Sequence, residues 1–127
     1  MRRFIALVVL CVLFVSGCGT AAKPDIEAAR TFVRSRYSNP GIALDINGVE
    51  GPEYATVPKI PRDHLADGYP DRSAVGAVRV RFTWRDGNST THDDCVVWVS
   101  SEHKAVGWSS NADGDKWRQF VRSVAKR

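Results

Sequence analysis

Between Gly76 and Arg85 apolar and polar residues alternate: Val78, Val80, Phe82 and Trp84 against Arg79, Arg81, Thr83 and Arg85. Side chains along a strand point to opposite faces in turn, so this run predicts a half-buried strand. Asp86-Gly87-Asn88 carries hairpin-turn chemistry, and Cys95-Val96-Val97-Trp98-Val99 supplies a second strand. Ser101-Glu102-His103 reads as another turn, with a third strand from Ala105 to Trp108. Directly opposed residues share a face, so register can be tested by parity. A loop at Gly87-Asn88 sets Val80 opposite Cys95 and Val78 opposite Val97; a loop at Asp86-Gly87 shifts the pairs but keeps the same faces together. A two-residue second turn then sets Val97 and Val99 beside Trp108 and Val106. One face would carry Val78, Val80, Phe82, Trp84, Cys95, Val97, Val99, Val106 and Trp108, a core face.

Elsewhere the spacing turns helical. From Pro24-Asp25, a proline and an acid suited to a first turn, Ile26, Ala29, Val33 and Tyr37 recur at threes and fours with Phe32 beside them, until Asn39-Pro40-Gly41 stops the run. Ile42 to Val49 reads as a short strand. Residues 50–74 hold Pro52, Pro58, Pro61 and Pro70 with Gly51 and Gly68, and predict a long connection with room for one helical turn at Asp63 to Ala66. At the far end Asn111 to Asp115 offers caps and acids for a helix striped by Trp117, Phe120, Val121 and Val124. Together these elements predict an α+β domain: an antiparallel meander of three or four strands, with the N-terminal and C-terminal helices covering one sheet face. The order of elements is similar to cystatin-like and NTF2-like folds, a likeness of topology only.

The first residues do not belong to this pattern. Met1-Arg2-Arg3 is a short positive start, and Phe4 to Val15 is an uncharged run of about 12 residues, matching the apolar core of an export signal. As a helix it would extend about 18 Å, well short of the ~30 Å hydrocarbon core of a bilayer, so a cleaved leader is expected in place of a spanning segment. Val15-Ser16-Gly17-Cys18 resembles the lipobox of bacterial lipoproteins: an aliphatic residue, two small ones, then the cysteine. The resemblance covers the leader alone. It implies cleavage before Cys18, lipid on the Cys18 sulfur, and a cell-envelope protein held to a membrane; two or more acyl chains give a stable anchor. In Gram-negative members an Asp after the cysteine often marks inner-membrane retention, so Gly19 leans toward the periplasmic side of the outer membrane. The expected organisation is a signal peptide over 1–17, a lipidated cysteine and tether over 18–23, and one domain over 24–127.

Removing that leader changes the charge balance. The formal charge of +4 rests on 18 basic and 14 acidic residues. Arg2 and Arg3 leave with the leader, so 16 basic residues remain against 14 acidic ones, a net of +2. No polybasic stretch or nucleic-acid motif stands out, and no nucleic-acid partner is expected. Of the three cysteines, Cys11 leaves and Cys18 carries lipid, so Cys95 remains alone as a small core residue with no intrachain disulfide partner.

Candidate chemistry is sparse. The second face of the sheet would carry Arg79, Arg81, Thr83, Arg85, His92, Asp94, Val96 and Trp98. Tryptophan and arginine are enriched at binding hot spots, which makes Arg79, Arg81, Asp94 and Trp98 the candidate binding face. A glycan, an anionic ligand or an envelope protein could dock there; the alternative is that the 50–74 segment covers Trp98. His92, Cys95 and His103 invite a metal or Cys–His reading, but His92 and Cys95 fall on opposite strand faces, and zinc normally wants three or four convergent ligands. Asp63, His64 and Asp67 form a possible acid–base group in the long loop. Hydrolase and phosphate-loop motifs do not stand out, and neither cofactor nor metal is expected. Lys116, Arg118, Arg122, Lys126 and Arg127 read as a solvated helix face. The sequence thus favours a lipid-anchored, non-enzymatic binding or assembly module, with a small envelope hydrolase using the 50–74 loop, or a structural envelope component, as alternatives.

Overall fold

The computed structural model describes residues 22–58, 60, 73–110 and 116–125. Helix α1 covers residues 22–36. Four strands follow, β1 (Ile42–Val57), β2 (Ala74–Asp86), β3 (Ser89–Val99) and β4 (Ala105–Ser110), and then helix α2 (Trp117–Ala125). The strands form one open antiparallel sheet in the order β1-β2-β3-β4. This is the α+β arrangement expected, a helix before and a helix after a four-stranded meander. No helix among the described residues is long and apolar enough to cross a membrane.

The hairpin register follows the parity argument. Val80 pairs with Cys95 and Val78 with Val97, and Gly87 takes φ 60°, the left-handed conformation that such a turn needs. The next turn closes through the His103 amide on the Ser100 carbonyl (3.0 Å) and the Ser100 amide on the Lys104 carbonyl (2.9 Å).

The helices do not share a face. Ala29 and Val33 of α1 pack with Val78, Val80, Phe82, Cys95 and Val97. On the other side Trp117, Val121 and Val124 of α2 pack with Ala77, Val96, Trp98, Val57 and Ile60. The reason lies in Cys95 to Val99: these residues are apolar at every position and fully buried, and such a run is a strand covered on both faces. Val106 also changes side. Trp108 opposes Val97 as expected, but a register shift pairs Val99 with Ala105. The extra residue, Val106, joins Trp98 and α2 in the second core.

Strand β1 is longer than the periodicity indicated. Pairing with β2 runs on through residues 50–57, with register shifts at Ile46/Gly48, Glu50/Glu53 and Tyr54/Val57. Gly51 and Pro52 therefore bend a continuing strand and do not begin a loop. Gly51 has φ 103°, and a Cβ there would stand 3.0 Å from the Trp117 ring, so glycine both permits the bend and lets α2 seat on it. Helix α1 already includes residues 22 and 23, which the sequence assigned to the tether. Cys18 and the leader, the Asp63–His64–Asp67 group, Lys126 and Arg127, and the Asn111–Asp115 caps lie outside the described residues.

Candidate functional site

Helix α2 covers only part of its sheet face. Trp98 is fully buried beneath it, its ring 6.0 Å from Phe120. The tryptophan placed on the candidate binding face is thus a core residue. The element over it is the C-terminal helix, whose apolar stripe needed a partner surface; Val57 and Ile60, within the 50–74 segment, join that core from the side. Arg122 is correspondingly not just a solvated cation. Its guanidinium donates to Glu53 Oε1 from Nε (2.9 Å) and Nη2 (2.7 Å), tying α2 to β1, while Arg118 lies over the Trp117 ring at 5.3 Å.

Beyond α2 the same face is polar and open. Its anchor is Arg79, whose side chain is only 7% exposed. Arg79 donates from Nη1 to Glu50 Oε1 at 3.0 Å and from Nη2 to Asp94 Oδ2 at 2.8 Å. Glu50 sits directly opposite Arg79 on β1. Asp94 sits opposite Arg81 on β3, yet its ion pair is the diagonal one, a neighbour that long side chains reach across a twisted antiparallel pair. Burial explains the choice: a guanidinium with little access to water needs both carboxylates, whereas Arg81 is 52% exposed and only approaches Glu50 at 3.7 Å. Gly48 allows this, since a Cβ there would come within 2.8 Å of Arg81 Nη2.

Next to this charged group runs a chain of side-chain contacts. Asn47 Nδ2 donates to Thr83 Oγ1 at 2.7 Å, and Thr83 Oγ1 is 3.0 Å from His92 Nδ1. Asn47, Arg81, Phe82, His92, Asp93 and Asp94 line a recess of about 480 Å³. Of the four residues proposed for binding, Arg81 and Asp94 line this recess, Arg79 acts beneath them as a fixed support, and Trp98 is removed to the core. Asn47 and Glu50 were missed because they belong to β1, whose register with β2 could not be derived from the sequence. Cys95 and His92 face opposite ways, as the strand geometry required: Cys95 packs with α1, and its burial, with Asp93 and Asp94 nearby, pushes the thiol up to about 12. Among the described residues there is no group of three or more metal-ligating side chains.

A second polar cluster had no sequence signal joining its members. Asp25, in the first turns of α1, is 2% exposed. His103 Nδ1 lies 2.8 Å from Asp25 Oδ1, and Tyr54 donates its hydroxyl to Asp25 Oδ2 at 3.3 Å. His103 has φ 62°, a left-handed turn conformation that histidine visits more readily than most residues. The cluster ties α1, β1 and the β3–β4 turn to one buried carboxylate. Burial and the adjacent Asp25 charge raise the Tyr54 phenol above its ordinary value. A recess of about 440 Å³ adjoins His103, lined also by Pro24, Thr31, Phe32 and Ser35. The Ser35 hydroxyl is engaged with the Phe32 carbonyl at 2.9 Å, an ordinary helix contact and not a nucleophile's bond to a base.

No protein-family model, curated protein or solved structure matches this chain.

Proposed function

We propose that this chain is a lipid-anchored module of the bacterial cell envelope that binds an envelope protein or glycan, without catalysis, through the open polar half of the α2 sheet face. The observation that carries the reading is the contrast within that face: α2 seals the Trp98 half, while Asn47, Arg81, His92 and Asp94 border an open recess. Arg79 supports it by holding Glu50 and Asp94 in fixed positions. Groups already ordered in the free protein lose little freedom on binding, which favours affinity at a given contact area. Burial of Trp98 withdraws one expected hot spot, so recognition rests on directed hydrogen bonds and charge. Attachment rests on the likeness of Val15-Ser16-Gly17-Cys18 to a lipobox.

In-cell photo-crosslinking tests the binding half of this reading, with the photoreactive residue at His92 and, as control, at Arg36 on α1. A discrete adduct at position 92 alone is expected, and its composition separates protein from glycan. No adduct at 92, in a folded and membrane-bound variant, would overturn the assignment. Metabolic labelling with a fatty-acid analogue tests the anchor: label is expected on the chain and lost in Cys18→Ser, and unlabelled wild-type chain would remove lipidation from the proposal.

A further inference from the structure

The outer edge of β1 has a different character from the open face. As the first strand of the sheet, β1 has no strand on its outer side among the described residues. Its opening stretch, Ile42 to Ile46, pairs with β2 in unbroken register, from Ile42 with Asp86 to Ile46 with Phe82. After Ile46 the register shifts, so an added strand would find about five regular residues, some 17 Å of edge. Alternate backbone groups along such an edge point away from the sheet; the Ile42 amide is already taken by the Asn39 carbonyl at 3.2 Å, so the amides open to a partner strand among the described residues lie after it.

Helix α1 lies over the sheet face on β2 and β3, with its Arg30, Arg34 and Tyr37 side toward this edge. Arg30, Arg34, Tyr37, Leu44, Asp45 and Ile46 line a recess of about 370 Å³ between them. Leu44, Ile46 and Tyr37 are only partly buried there and form the outer margin of the α1-side core. Arg30 Nε is buried and has no hydrogen-bond partner among the described residues. The ion pair of Arg30 with Glu27 is long, at 4.0 Å. Arg34 is exposed. The two arginines are four apart on a helix, about 6 Å along its axis; side chains two apart on a strand are spaced about 6.6 Å. Carboxylates at alternate positions of an extended chain therefore match the two guanidinia, and guanidinium–carboxylate pairing is the strongest contact such a rim can make.

We propose that the free edge of β1 takes an extended acidic peptide segment of a partner protein, added as a fifth strand alongside β1 and flanked by the Arg30–Arg34 side of α1. Main-chain pairing to residues 43–46 supplies the hold, Arg30 and Arg34 select acidic side chains, and Leu44, Ile46 and Tyr37 receive an apolar one in line with them. This surface is lined by different residues from the recess at His92.

The test uses the full chain and a fluorescein-labelled Val-Thr-Glu-Thr-Glu peptide, followed by fluorescence anisotropy. Binding is expected to weaken at least tenfold in the Arg30→Glu/Arg34→Glu variant, and to be absent for a matched Val-Thr-Lys-Thr-Lys probe. N-methylation of the probe backbone keeps the protein unchanged: methyl groups on one alternate set of amides should abolish binding and on the other set leave it intact. Hydrogen exchange of amides 43–46 in the free protein should show alternate fast positions that slow when the probe is added; the Ile42 amide, bonded to Asn39, is left out. No binding of the acidic probe, binding indifferent to its charge or to N-methylation, or an edge already protected without it would each overturn the proposal. Protection that appears only at high protein concentration, and is lost in the Arg30→Glu/Arg34→Glu variant, would assign the edge to a second copy of this chain and overturn it equally. A lost crosslink at His92 with intact probe binding would fault only the sheet-face reading.

Discussion

Replacing Arg79 by methionine isolates the support under the open face. The substitution keeps an apolar stem of similar length and removes the guanidinium, which is 7% exposed and bonded at 3.0 and 2.8 Å to Glu50 and Asp94. Breaking a fully buried ion pair from one side costs about 3–5 kcal/mol, because the remaining charge is stranded. Glu50 and Asp94 are 31% and 23% exposed, so water recovers part of their solvation and the lower end applies, about 3 kcal/mol. For a domain of this size that is a fall in Tm of roughly 15 °C. Urea unfolding followed by tryptophan fluorescence measures it, with an unchanged m-value required for the reading. Adding Glu50→Gln and Asp94→Asn to Arg79→Met should recover most of the loss, since the stranded charges are gone. A loss under about 1 kcal/mol, or a triple variant no more stable than the single one, would refute the claim that Arg79 is held as a buried, doubly paired cation.

Asp25→Ala removes the acceptor shared by His103 and Tyr54 and should cost about 1–3 kcal/mol in the same urea assay; His103→Ala should cost less, because Tyr54 keeps its bond to the carboxylate. Cys95 should resist alkylation at pH 8 in the folded chain and react fully in urea, since a buried thiol at about 12 supplies almost no thiolate. The same thiol makes stability fall as pH rises from about 9 to about 12: in that window the unfolded chain has already lost the proton that the folded chain keeps. Cys95→Ala should flatten that alkaline slope, and an unaltered slope would refute the assignment. Gly51→Ala places a Cβ at φ 103° and 3.0 Å from Trp117; a loss of at least about 1–2 kcal/mol is expected, from strain and from displacing α2.

The register of β2 with β3 was legible because both strands mark their faces by period two and the turn between them is short. Arg81 and Asp94 were legible for the same reason. The side on which α2 packs was not read from its stripe. It was implicit in Cys95 to Val99, where a run without alternation signals cover on both faces. Trp98 was misplaced because a tryptophan opposite a core face looks like a docking residue until a second cover is counted. The second half of β1 was hidden by Gly51 and Pro52, which usually end an element and here bend one. Asp25, Tyr54 and His103 meet only through tertiary folding across 78 positions of chain, and no local pattern encodes that.

The two-sided covering of the central strands has a kinetic consequence. Neighbouring residues Val96 and Val97 belong to different cores, as do Ala77 and Val78, so one set of backbone amides is shielded from both directions. Neither helix can lift away and expose that ladder while the other remains seated. Deuterium should therefore enter residues 77–80 and 95–98 only through global unfolding, at one common opening free energy. The amides of α1 and α2 should exchange through smaller, separate openings, each reporting on its own side of the sheet.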